Sequence, residues 1–528
     1  MTKLALVILC IVLASCASAA YKILVIFPLP ARSHSILGSG VVRHLLNAGH
    51  EVTYATPYPK HENNPKLHEI DLSSNMDMLP KNVLNIKSIM ENNVTDSMKN
   101  FLFYIGLMMS KKTIEHENFQ KILADQNQHF ELIIAEWMFS ELIAAVYDAP
   151  LIWFSTIEPH WMILSQIDEY LNPAYNTFDI VELPPLTFSQ RLAELWFTIK
   201  MVVIRETEYE RLIVPHIEAR GKMSPTYEEL RYNASLVFGN SHVSMGQATR
   251  LPQNYKPVGG YHIDDNVKPL PEDLKRIIDE AKDGVIYFSM GSNLSSKDMP
   301  DEIKKDLLIL FASLKQTVIW KFEEDLPDKP KNVYILKWAP QQSILAHPNV
   351  RMFITHGGLL STTETIFAGK PIIGIPVFFD QFINVARAVN RGFAKKVDLS
   401  YSMAGDLKID IEDILNDPNR EHRLDAAGSI PPARQVKSTQ EKVPKDLSFV
   451  HHDRPVMPGQ EIIHWTNHVI KTKGAPHLRS PALMVPWYQK IYLDLAIVLI
   501  LAVLLIRLIF RRVKNIIFPK KTMKKKTN

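Results

Sequence analysis

Cysteine is nearly absent from this sequence of 528 residues, and both cysteines, Cys10 and Cys16, lie at the start of the chain. Residues 4–14 form an apolar run behind Lys3, too short to cross a bilayer of ~30 Å. Small residues follow at 17–20, which is typical of a secretory signal peptide cleaved at its end. Cleavage would leave a mature chain without cysteine, which excludes disulfides, a thiolate nucleophile and cysteine-ligated zinc.

The sequence also lacks a strong excess of one charge, since 60 Lys and Arg stand against 56 Asp and Glu. Eight of the positive charges lie in residues 511–528, which contain no acidic residue. The segment 21–490 is therefore slightly acidic, which argues against nucleic acid as a partner. A hydrophobic share of 46% and a charged share of 22% exclude a disordered or collagen-like chain.

Only one hydrophobic run is long enough to span a bilayer, at 491–510, because twenty residues rise about 30 Å as a helix. Asp494 and Arg507 lie near its ends, where they can reach the interface. The basic tail at 511–528 marks the cytoplasmic side, so we expect a single-pass type I protein with a lumenal body. The last residues, Lys525-Lys526-Thr527-Asn528, resemble a dilysine retrieval signal, which favours the endoplasmic reticulum membrane.

The body of the chain alternates short apolar strands with helices, the pattern of an α/β fold. In the first half we predict strands at 22–27, 51–55, 130–135, 151–154 and 235–239, and helices at 36–47 and 186–220. In the second half we predict strands at 285–289, 318–321, 333–336, 352–355 and 372–375, and helices from near 359, from near 380 and at 459–473. Residues 252–271 are rich in Pro, Gly and Asp and read as a linker. Two α/β units would enclose a cleft, and ligands are expected at the carboxyl ends of the strands.

These patterns divide the chain into consecutive segments. The predicted segments are a signal peptide (1–20), an N-terminal domain (21–255), a C-terminal domain (256–458), a helix with a juxtamembrane segment (459–490), a transmembrane helix (491–510) and a basic tail (511–528). Residues 425–447 break the alternation, because they hold few large apolar residues and much Pro, Lys and Gln. We expect a disordered or poorly packed insert there.

Residues 353–381, FITHGGLLSTTETIFAGKPIIGIPVFFDQ, carry the densest group of polar side chains. A strand would end at His356, and a helix would start after the glycine pair at 357–358. The amides of a helix N-terminus form an anion site. His356 and Ser361 can donate further hydrogen bonds, so the motif predicts diphosphate binding.

The same region offers groups for the rest of a nucleotide sugar. Glu364, one turn into the helix, can accept hydrogen bonds from two ribose hydroxyls. Asp380 and Gln381 begin the next helix and can hold sugar hydroxyls. Upstream, Trp338 offers an indole face to a flat base, and Gln341 lies close to it in the sequence.

In the first half, His34 lies in the predicted loop at 28–35, at the carboxyl end of the first strand. A histidine there can remove a proton from a hydroxyl near neutral pH. The alternative is a histidine that only caps the loop.

The motifs together resemble the UDP-glycosyltransferases, and HGGLLSTTE at 356–364 is most similar to the membrane-bound animal enzymes, especially those of insects. The resemblance includes PARSH at 30–34, KGAPHLR at 473–479, the signal peptide, the anchor and the basic tail. It implies a GT-B type fold, in which two Rossmann-like domains face a central cleft, plus one C-terminal transmembrane helix. The first domain would bind the acceptor and the second the UDP-sugar.

The resemblance also implies a role for each candidate residue. His34 would be the catalytic base, Trp338 and Gln341 would bind uracil, Glu364 the ribose, and Asp380 and Gln381 the donor sugar. The implied diphosphate ligands are Ser292, His356, Gly358 and Ser361, with Arg250 and Lys321 as further phosphate candidates. The family usually places an Asp beside the base, where this chain has Glu136, and Glu141 is the alternative partner.

The implied reaction is an inverting transfer of a hexosyl group, glucose being favoured, from a UDP-sugar to a hydroxyl of a small lipophilic acceptor, in detoxification or metabolite conjugation. The UDP-sugar is a co-substrate, and no cofactor or metal is expected because the sequence has no Asp-x-Asp motif. The alternatives are a UDP-glucuronosyltransferase and an inactive relative that binds a nucleotide sugar or a lipophile. Members of the family often self-associate, which implies a homo-oligomer. Sequons predict glycosylation at Asn93 and Asn233, whereas the one at Asn293 lies beside the ligand loop.

Overall fold

The computed structural model describes residues 20–78, 85–91, 95–125, 127–140, 149–168, 186–212, 215, 232–246, 250–264, 267–416, 442–490 and 492–518. The strands are β1 (Lys22–Ile26), β2 (Glu51–Thr56), β3 (Leu67–Asp71), β4 (Leu132–Glu136), β5 (Leu151–Ser155), β6 (Ala234–Gly239), β7 (Tyr255–Pro257), β8 (Val285–Ser289), β9 (Thr317–Lys321), β10 (Val333–Leu336), β11 (Val350–Thr355), β12 (Ile372–Gly374) and β13 (Ala394–Lys396).

The helices lie between and after these strands. They are α1 (Arg32–Asn47), α2 (Ile86–Glu91), α3 (Thr95–Glu115), α4 (Glu117–Ala124), α5 (Trp161–Leu164), α6 (Phe188–Leu212), α7 (Glu272–Asp279), α8 (Asp301–Ala312), α9 (Gln341–Ala346), α10 (Leu359–Ala368), α11 (Gln381–Asn390), α12 (Met403–Leu415), α13 (Lys442–His452), α14 (Pro458–Lys471), α15 (Trp487–Lys490) and α16 (Leu493–Ile517). Short 3₁₀ turns occur at Ser73–Met78, Ser296–Asp298, Pro476–Leu478 and Pro481–Met484.

The first half of the chain forms a parallel sheet of seven strands in the order β3-β2-β1-β4-β5-β6-β7. Strands β4 and β5 are buried along their whole length, as expected for apolar parallel strands covered on both faces. The strand order reverses between β1 and β4, which pair side by side. A crevice opens at such a switch point, at the carboxyl ends of the strands.

The second half repeats this architecture with six parallel strands in the order β10-β9-β8-β11-β12-β13. Its core contains stacked aromatic side chains, with the Phe288 and Trp320 rings 5.2 Å apart. The order reverses between β8 and β11, which also pair directly. The two doubly wound units confirm the predicted α/β fold and give each half its own switch point.

The chain returns to the first half near its end. Helix α14 packs against α1, and its residues Ile462 and Val469 are fully buried in the core of the first sheet. The last part of the soluble body therefore joins the two halves noncovalently, in addition to the covalent link at 258–271.

Two sequence-based expectations were wrong. Helix α1 begins at Arg32 rather than near position 36, because Ala31 is extended and its carbonyl already accepts from the Ser35 amide at 3.1 Å. His34 therefore lies in the first helical turn, not in a loop. Part of the predicted insert at 425–447 is ordered, since α13 begins at Lys442 and packs against α10.

Other predictions fall partly or wholly outside the described residues. These are the signal peptide except position 20, the end of the long helix at 186–220, and the insert at 425–441. Strand β7 lies inside the segment predicted as a linker, so a boundary between positions 255 and 256 would cut this strand.

Among the described residues, one helix is long and apolar enough to cross a membrane, the 25-residue α16. It is fully exposed on the protein, as a helix surrounded by lipid would be. It begins two residues after the predicted start at 491 and continues seven residues past the predicted end at 510, through Arg511, Arg512 and Lys514.

Candidate functional site

The switch point of the first sheet brings together a histidine and a carboxylate. Glu136 is the last residue of β4 and is fully buried, while His34 lies on the first turn of α1, directly beyond β1. His34 Nδ1 contacts Glu136 Oε1 directly. The Phe139 ring packs edge-on against the imidazole, with ring centres 5.8 Å apart, and further fixes its orientation.

This contact defines what the imidazole can do. A carboxylate only accepts hydrogen bonds, so it holds the proton on His34 Nδ1 and leaves Nε2 able to take a proton from another molecule. The second predicted partner, Glu141, lies outside the described residues. The Glu136 side chain is long enough for direct contact, although the family usually has the shorter Asp.

The switch point of the second sheet builds the other wall of the cleft. His356 follows β11, and Gly358 caps helix α10, whose free amides face the turn. Ser292 lies on the loop after β8. A Cβ on Gly291 or on Gly358 would approach the His356 ring to 2.4 or 2.6 Å, so both glycines let the backbone pack against this imidazole.

A cavity of about 550 Å³ opens beside the loop after β8, which carries Ser292. Its lining residues are Arg32, Ser292, Asn293, Leu294, Ser295, Lys321, Glu323, Lys337 and Trp338. Three of these side chains are cations and one is an acid, and the acid, Glu323, pairs with Lys321 at 2.5 Å. The cavity is therefore electropositive and suited to an anionic ligand.

The cavity lies between the two halves of the protein. Arg32 comes from α1 in the first half, and its guanidinium lies 5.4 Å from the centre of the Trp338 ring in the second. The Trp338 side chain is 58% exposed, which is unusual for tryptophan and leaves an aromatic face open to a ligand.

A hydrogen-bonded network lies beside Trp338. Gln341 Nε2 donates to Ser361 Oγ at 3.1 Å and to Glu364 Oε2 at 2.6 Å. Tyr287 donates its hydroxyl hydrogen to Gln341 Oε1 at 3.2 Å, so the orientation of the amide is fixed. The network brings Gln341, Ser361 and Glu364 together, as the sequence predicts.

The His356 imidazole is neutral at physiological pH. Burial, and to a lesser degree the charge of Lys321, lowers the pKa of His356 to about 4. A neutral imidazole can still donate one N–H bond to a phosphate oxygen.

Asp380 and Gln381 lie at the start of α11. Asn384 Nδ2 donates to Asp380 Oδ2 at 2.8 Å and to the Gly357 carbonyl at 3.1 Å, which ties α11 to the glycine turn. Burial raises the pKa of Asp380, while Asn384 and His34 oppose this shift.

Gln381 is only partly available for a ligand. Its Oε1 accepts from the amides of Val377 at 2.9 Å and Phe378 at 3.2 Å. The carbonyl end thus closes the loop before α11, and the NH₂ end is the group that can bind sugar.

Only some of the remaining predicted residues lie at the cavity. Lys321 lines the cavity, whereas Arg250 lies in the loop before β7 and is not among the lining residues. Asn233 is exposed directly before β6, and its Oδ1 accepts from Arg479 at 3.1 Å. Asn93 lies outside the described residues.

Two cations of the cavity were missed by the sequence analysis. Arg32 lies two positions before His34, and Lys337 directly precedes Trp338. Both are sequence neighbours of predicted site residues, and this adjacency was a signal for both. Adjacency alone does not show which side chains point into a cleft.

The comparisons with known proteins agree with this architecture. Solved structures that share the fold include the calicheamicin glycosyltransferase CalG4, with a TM-score of 0.56, 15% identity and coverage of 86% of this chain and 99% of that one. Another is UGT89C1 of Arabidopsis thaliana complexed with UDP-L-rhamnose, with a TM-score of 0.55, 15% identity and coverage of 86% and 100%. The chain thus shares the GT-B fold of these structures.

The sequence comparisons identify the family. The family model described as "UDP-glucoronosyl and UDP-glucosyl transferase" matches residues 22–528, and the chain belongs to this UDP-glycosyltransferase family. UDP-glycosyltransferase UGT5 of Dactylopius coccus is 32% identical, covering 94% of this chain and 92% of the relative. UDP-glucuronosyltransferase 2B7 of Homo sapiens is 29% identical, covering 73% of this chain and 69% of the relative. The protein is therefore an enzyme that transfers a sugar from a UDP-sugar to an acceptor.

The glycine turn can be tested directly. Gly291 has a φ of +84°, so Gly291→Ala should combine backbone strain of roughly 1–2 kcal/mol with a clash against His356. We expect a lower free energy of unfolding in denaturant titrations and about tenfold weaker UDP binding by calorimetry. The matched control is Gly405→Ala in α12, where a Cβ meets nothing within 4 Å. Equal UDP affinity in the two variants would contradict the role given to the turn.

Proposed function

We propose that the enzyme transfers glucose from UDP-glucose to a hydroxyl of a small lipophilic acceptor, with inversion at the anomeric carbon. The observation that carries the proposal is the direct contact between His34 and the buried Glu136 at the switch point of the first sheet. A relative named UDP-glucosyltransferase 2, from Dactylopius coccus, is 29% identical and covers 90% of this chain.

In this mechanism His34 is the general base. Its Nε2 takes the proton of the acceptor hydroxyl while the oxygen attacks the anomeric carbon from the face opposite UDP. The bond between that carbon and the diphosphate oxygen breaks, and UDP leaves with the electron pair. The imidazolium that forms is stabilised by the buried Glu136 carboxylate, which also keeps the ring oriented.

The leaving diphosphate is bound by fixed dipoles and cations. The amides at the start of α10 and the hydroxyls of Ser292 and Ser361 would donate hydrogen bonds to it, together with neutral His356. Lys321, Lys337 and Arg32 supply positive charge along the same cavity. Groups that are already in place when charge develops stabilise the transition state without further reorganisation.

The uridine is held beside the phosphates. The exposed Trp338 ring would stack on uracil, with Gln341 as its polar neighbour. Glu364 would accept hydrogen bonds from the ribose hydroxyls, because a carboxylate has about four acceptor sites and only part of them are used within the protein.

The sugar end of the cleft favours a neutral hexose. Asp380, held by Asn384, is the group expected to bind sugar hydroxyls, and the Gln381 NH₂ would support it. A carboxylate at this place repels the carboxylate of glucuronate, so UDP-glucuronate is the second candidate donor. The similarity to UDP-glucuronosyltransferase 2B7 is the reason to test UDP-glucuronate as a donor as well.

The low pKa of His356 predicts how donor binding depends on pH. A bound diphosphate adds negative charge beside the ring, which favours the imidazolium and raises the pKa of His356 above its value of about 4 in the free enzyme. Binding then takes up protons, so UDP-glucose should bind about fivefold more tightly at pH ~5 than at pH ~7. Calorimetry should show this gain in the wild type and not in His356→Asn. An affinity independent of pH in both would contradict a phosphate contact by His356.

The cellular setting follows from the two ends of the chain. We propose an endoplasmic reticulum membrane protein that α16 anchors, with its catalytic body in the lumen and its basic tail in the cytoplasm. Lipophilic acceptors partition into that membrane, so an anchored cleft meets them at raised local concentration. A homo-oligomer is part of the same proposal.

The test is a transfer assay on microsomes that contain the full chain. UDP-glucose and UDP-glucuronate are offered in parallel to a panel of phenols and flavonoids. We expect glucosides, and we expect them to disappear in His34→Ala. Glucuronides alone would overturn the donor, and UDP binding without either product would support an inactive relative.

A further inference from the structure

Residues 258–264, which follow β7 and which we call the bridging segment, contact both halves of the enzyme. On one side they are fixed to α1, the helix that carries His34. Tyr261 donates its hydroxyl hydrogen to the Leu37 carbonyl at 2.8 Å. Arg43 donates to the Tyr261 carbonyl at 3.0 Å and also pairs directly with Asp264.

On its other side the bridging segment reaches Glu364. The His262 side chain is fully buried, and its Nε2 lies 3.5 Å from Glu364 Oε1, within the range of an ion pair though not aligned as a hydrogen bond. Among the described residues neither nitrogen of this ring has a hydrogen-bond partner. A buried polar group without a hydrogen-bond partner is costly, so the presence of the His262 ring here calls for a functional explanation.

A second connection leads to the same carboxylate. The Asp264 amide donates to Gln342 Oε1 at 3.3 Å, and Gln342 Nε2 donates to Glu364 Oε1 at 3.1 Å. Gln341 occupies the other carboxylate oxygen. Both oxygens of the Glu364 carboxylate are thus contacted. Gln341 binds Oε2, whereas Gln342 and, from the bridging segment, His262 lie at Oε1.

We propose that His262 is a positioning residue that orients Glu364 toward the hydroxyls of the donor ribose. The inference rests on the proposed contact between Glu364 and the ribose, and adds that this contact depends on the bridging segment. Because the segment is fixed to α1, ribose recognition in the second half is coupled to the helix of the base in the first. The enzyme should therefore distinguish a ribose donor from a 2′-deoxyribose donor, and His262 should be required for that discrimination.

The proposal differs from a simple packing role in one measurable respect. A ring that only fills space would affect all donors alike when it is replaced. A ring that orients Glu364 matters only when the donor carries the hydroxyl that Glu364 binds. Comparing UDP-glucose with 2′-deoxy-UDP-glucose on the same variants separates the two roles.

The experiment measures steady-state kinetics of the full-length enzyme in microsomes with both donors. His262→Leu removes both ring nitrogens while keeping an apolar side chain. It should raise KM for UDP-glucose about tenfold, because Glu364 loses the electrostatic contact that orients it, with kcat within about twofold. KM for the deoxy donor should change less than about twofold. His262→Gln, whose NH₂ replaces one ring nitrogen, should recover part of the affinity and raise KM for UDP-glucose only about threefold.

Two further variants serve as a control for His262 and as a test of Glu364 itself. His347→Gln alters another histidine that contacts a carboxylate in the second half, Asp279 at 3.0 Å, and should leave both KM values unchanged. Glu364→Gln should abolish the difference between the two donors. If His262→Leu does not accumulate, His262→Gln and Arg43→Gln, which loosens the bridging segment from α1, should each raise KM about threefold for UDP-glucose only.

The outcomes distinguish the two levels of the proposal. An equal rise in KM for both donors, or no rise, in the His262 variants would overturn the role of His262 and leave the ribose contact standing, provided that Glu364→Gln has lost the difference between the donors. A Glu364→Gln enzyme that discriminates the donors as the wild type does would instead overturn the ribose contact itself.

Discussion

Replacing His34 with alanine is expected to lower kcat for sugar transfer about 10³-fold while UDP binding stays unchanged. A positioned general base contributes roughly 10²–10⁴-fold, and here the imidazole is held by a buried carboxylate. Without it the acceptor hydroxyl has no positioned group that can take its proton. Apart from Arg32, the residues proposed to bind the donor lie in the other half of the protein, and His34 does not line the cavity, so the affinity for UDP should not depend on the imidazole.

The measurement is glucoside formation at saturating donor, together with calorimetric binding of UDP to the same preparations. His68→Ala provides the matched control, because this histidine lies exposed on β3, away from the switch point. A His34→Ala enzyme that keeps more than about a tenth of the wild-type kcat would show that another group removes the proton.

Replacing Glu136 with glutamine is expected to lower kcat about 10²-fold. The amide cannot stabilise the imidazolium, and its NH₂ end can turn toward Nδ1 and favour the wrong tautomer of His34. Glu136→Asp should cost about tenfold, because a side chain shorter by one methylene breaks the direct contact, and ~1 Å errors in such geometry are costly. The loss should appear in kcat and leave KM for UDP-glucose within about twofold.

The two Glu136 variants also decide between the partners of His34. Their kcat values are compared with those of Glu141→Gln, which should resemble the wild type. A full loss in Glu141→Gln with an intact Glu136→Gln would assign the orienting role to Glu141. Thermal unfolding of each variant shows whether the buried position still folds.

The arrangement behind both predictions is a pair of facing switch points. Parallel sheets open a crevice where their strand order reverses, and both halves place their polar residues there. His34 and Glu136 follow β1 and end β4, while Ser292 and His356 follow β8 and β11. The two walls of the cleft are therefore built by the same topological rule, repeated once.

Much of this arrangement could be predicted from the sequence. The apolar runs gave ten of the thirteen strands among the described residues closely, and a polar residue directly after such a run must lie at a strand's carboxyl end. His356 and Glu364 could be placed this way, because the glycine pair between them signals a tight turn into a helix. His34 and Glu136 follow the same logic on the other sheet.

Other parts depend on tertiary contacts that a linear pattern does not contain. Strand β3 is short and half polar, and β7 contains a proline within a turn-rich segment, so neither has a strand-like pattern. Helix α13 gained its order from packing against α10 although its sequence begins inside a polar stretch. His262 had no sequence signal, since its burial against Glu364 exists only once the two halves meet.

The central claim is that one displacement in this cleft, with His34 as base, moves the sugar from UDP to the acceptor. The most direct measurement is the anomeric configuration of the glucoside formed from UDP-α-D-glucose and a phenol, read by proton NMR. A single attack from the face opposite UDP predicts the β-glucoside. Formation of the α-glucoside would require a second displacement or a front-face attack and would contradict the account.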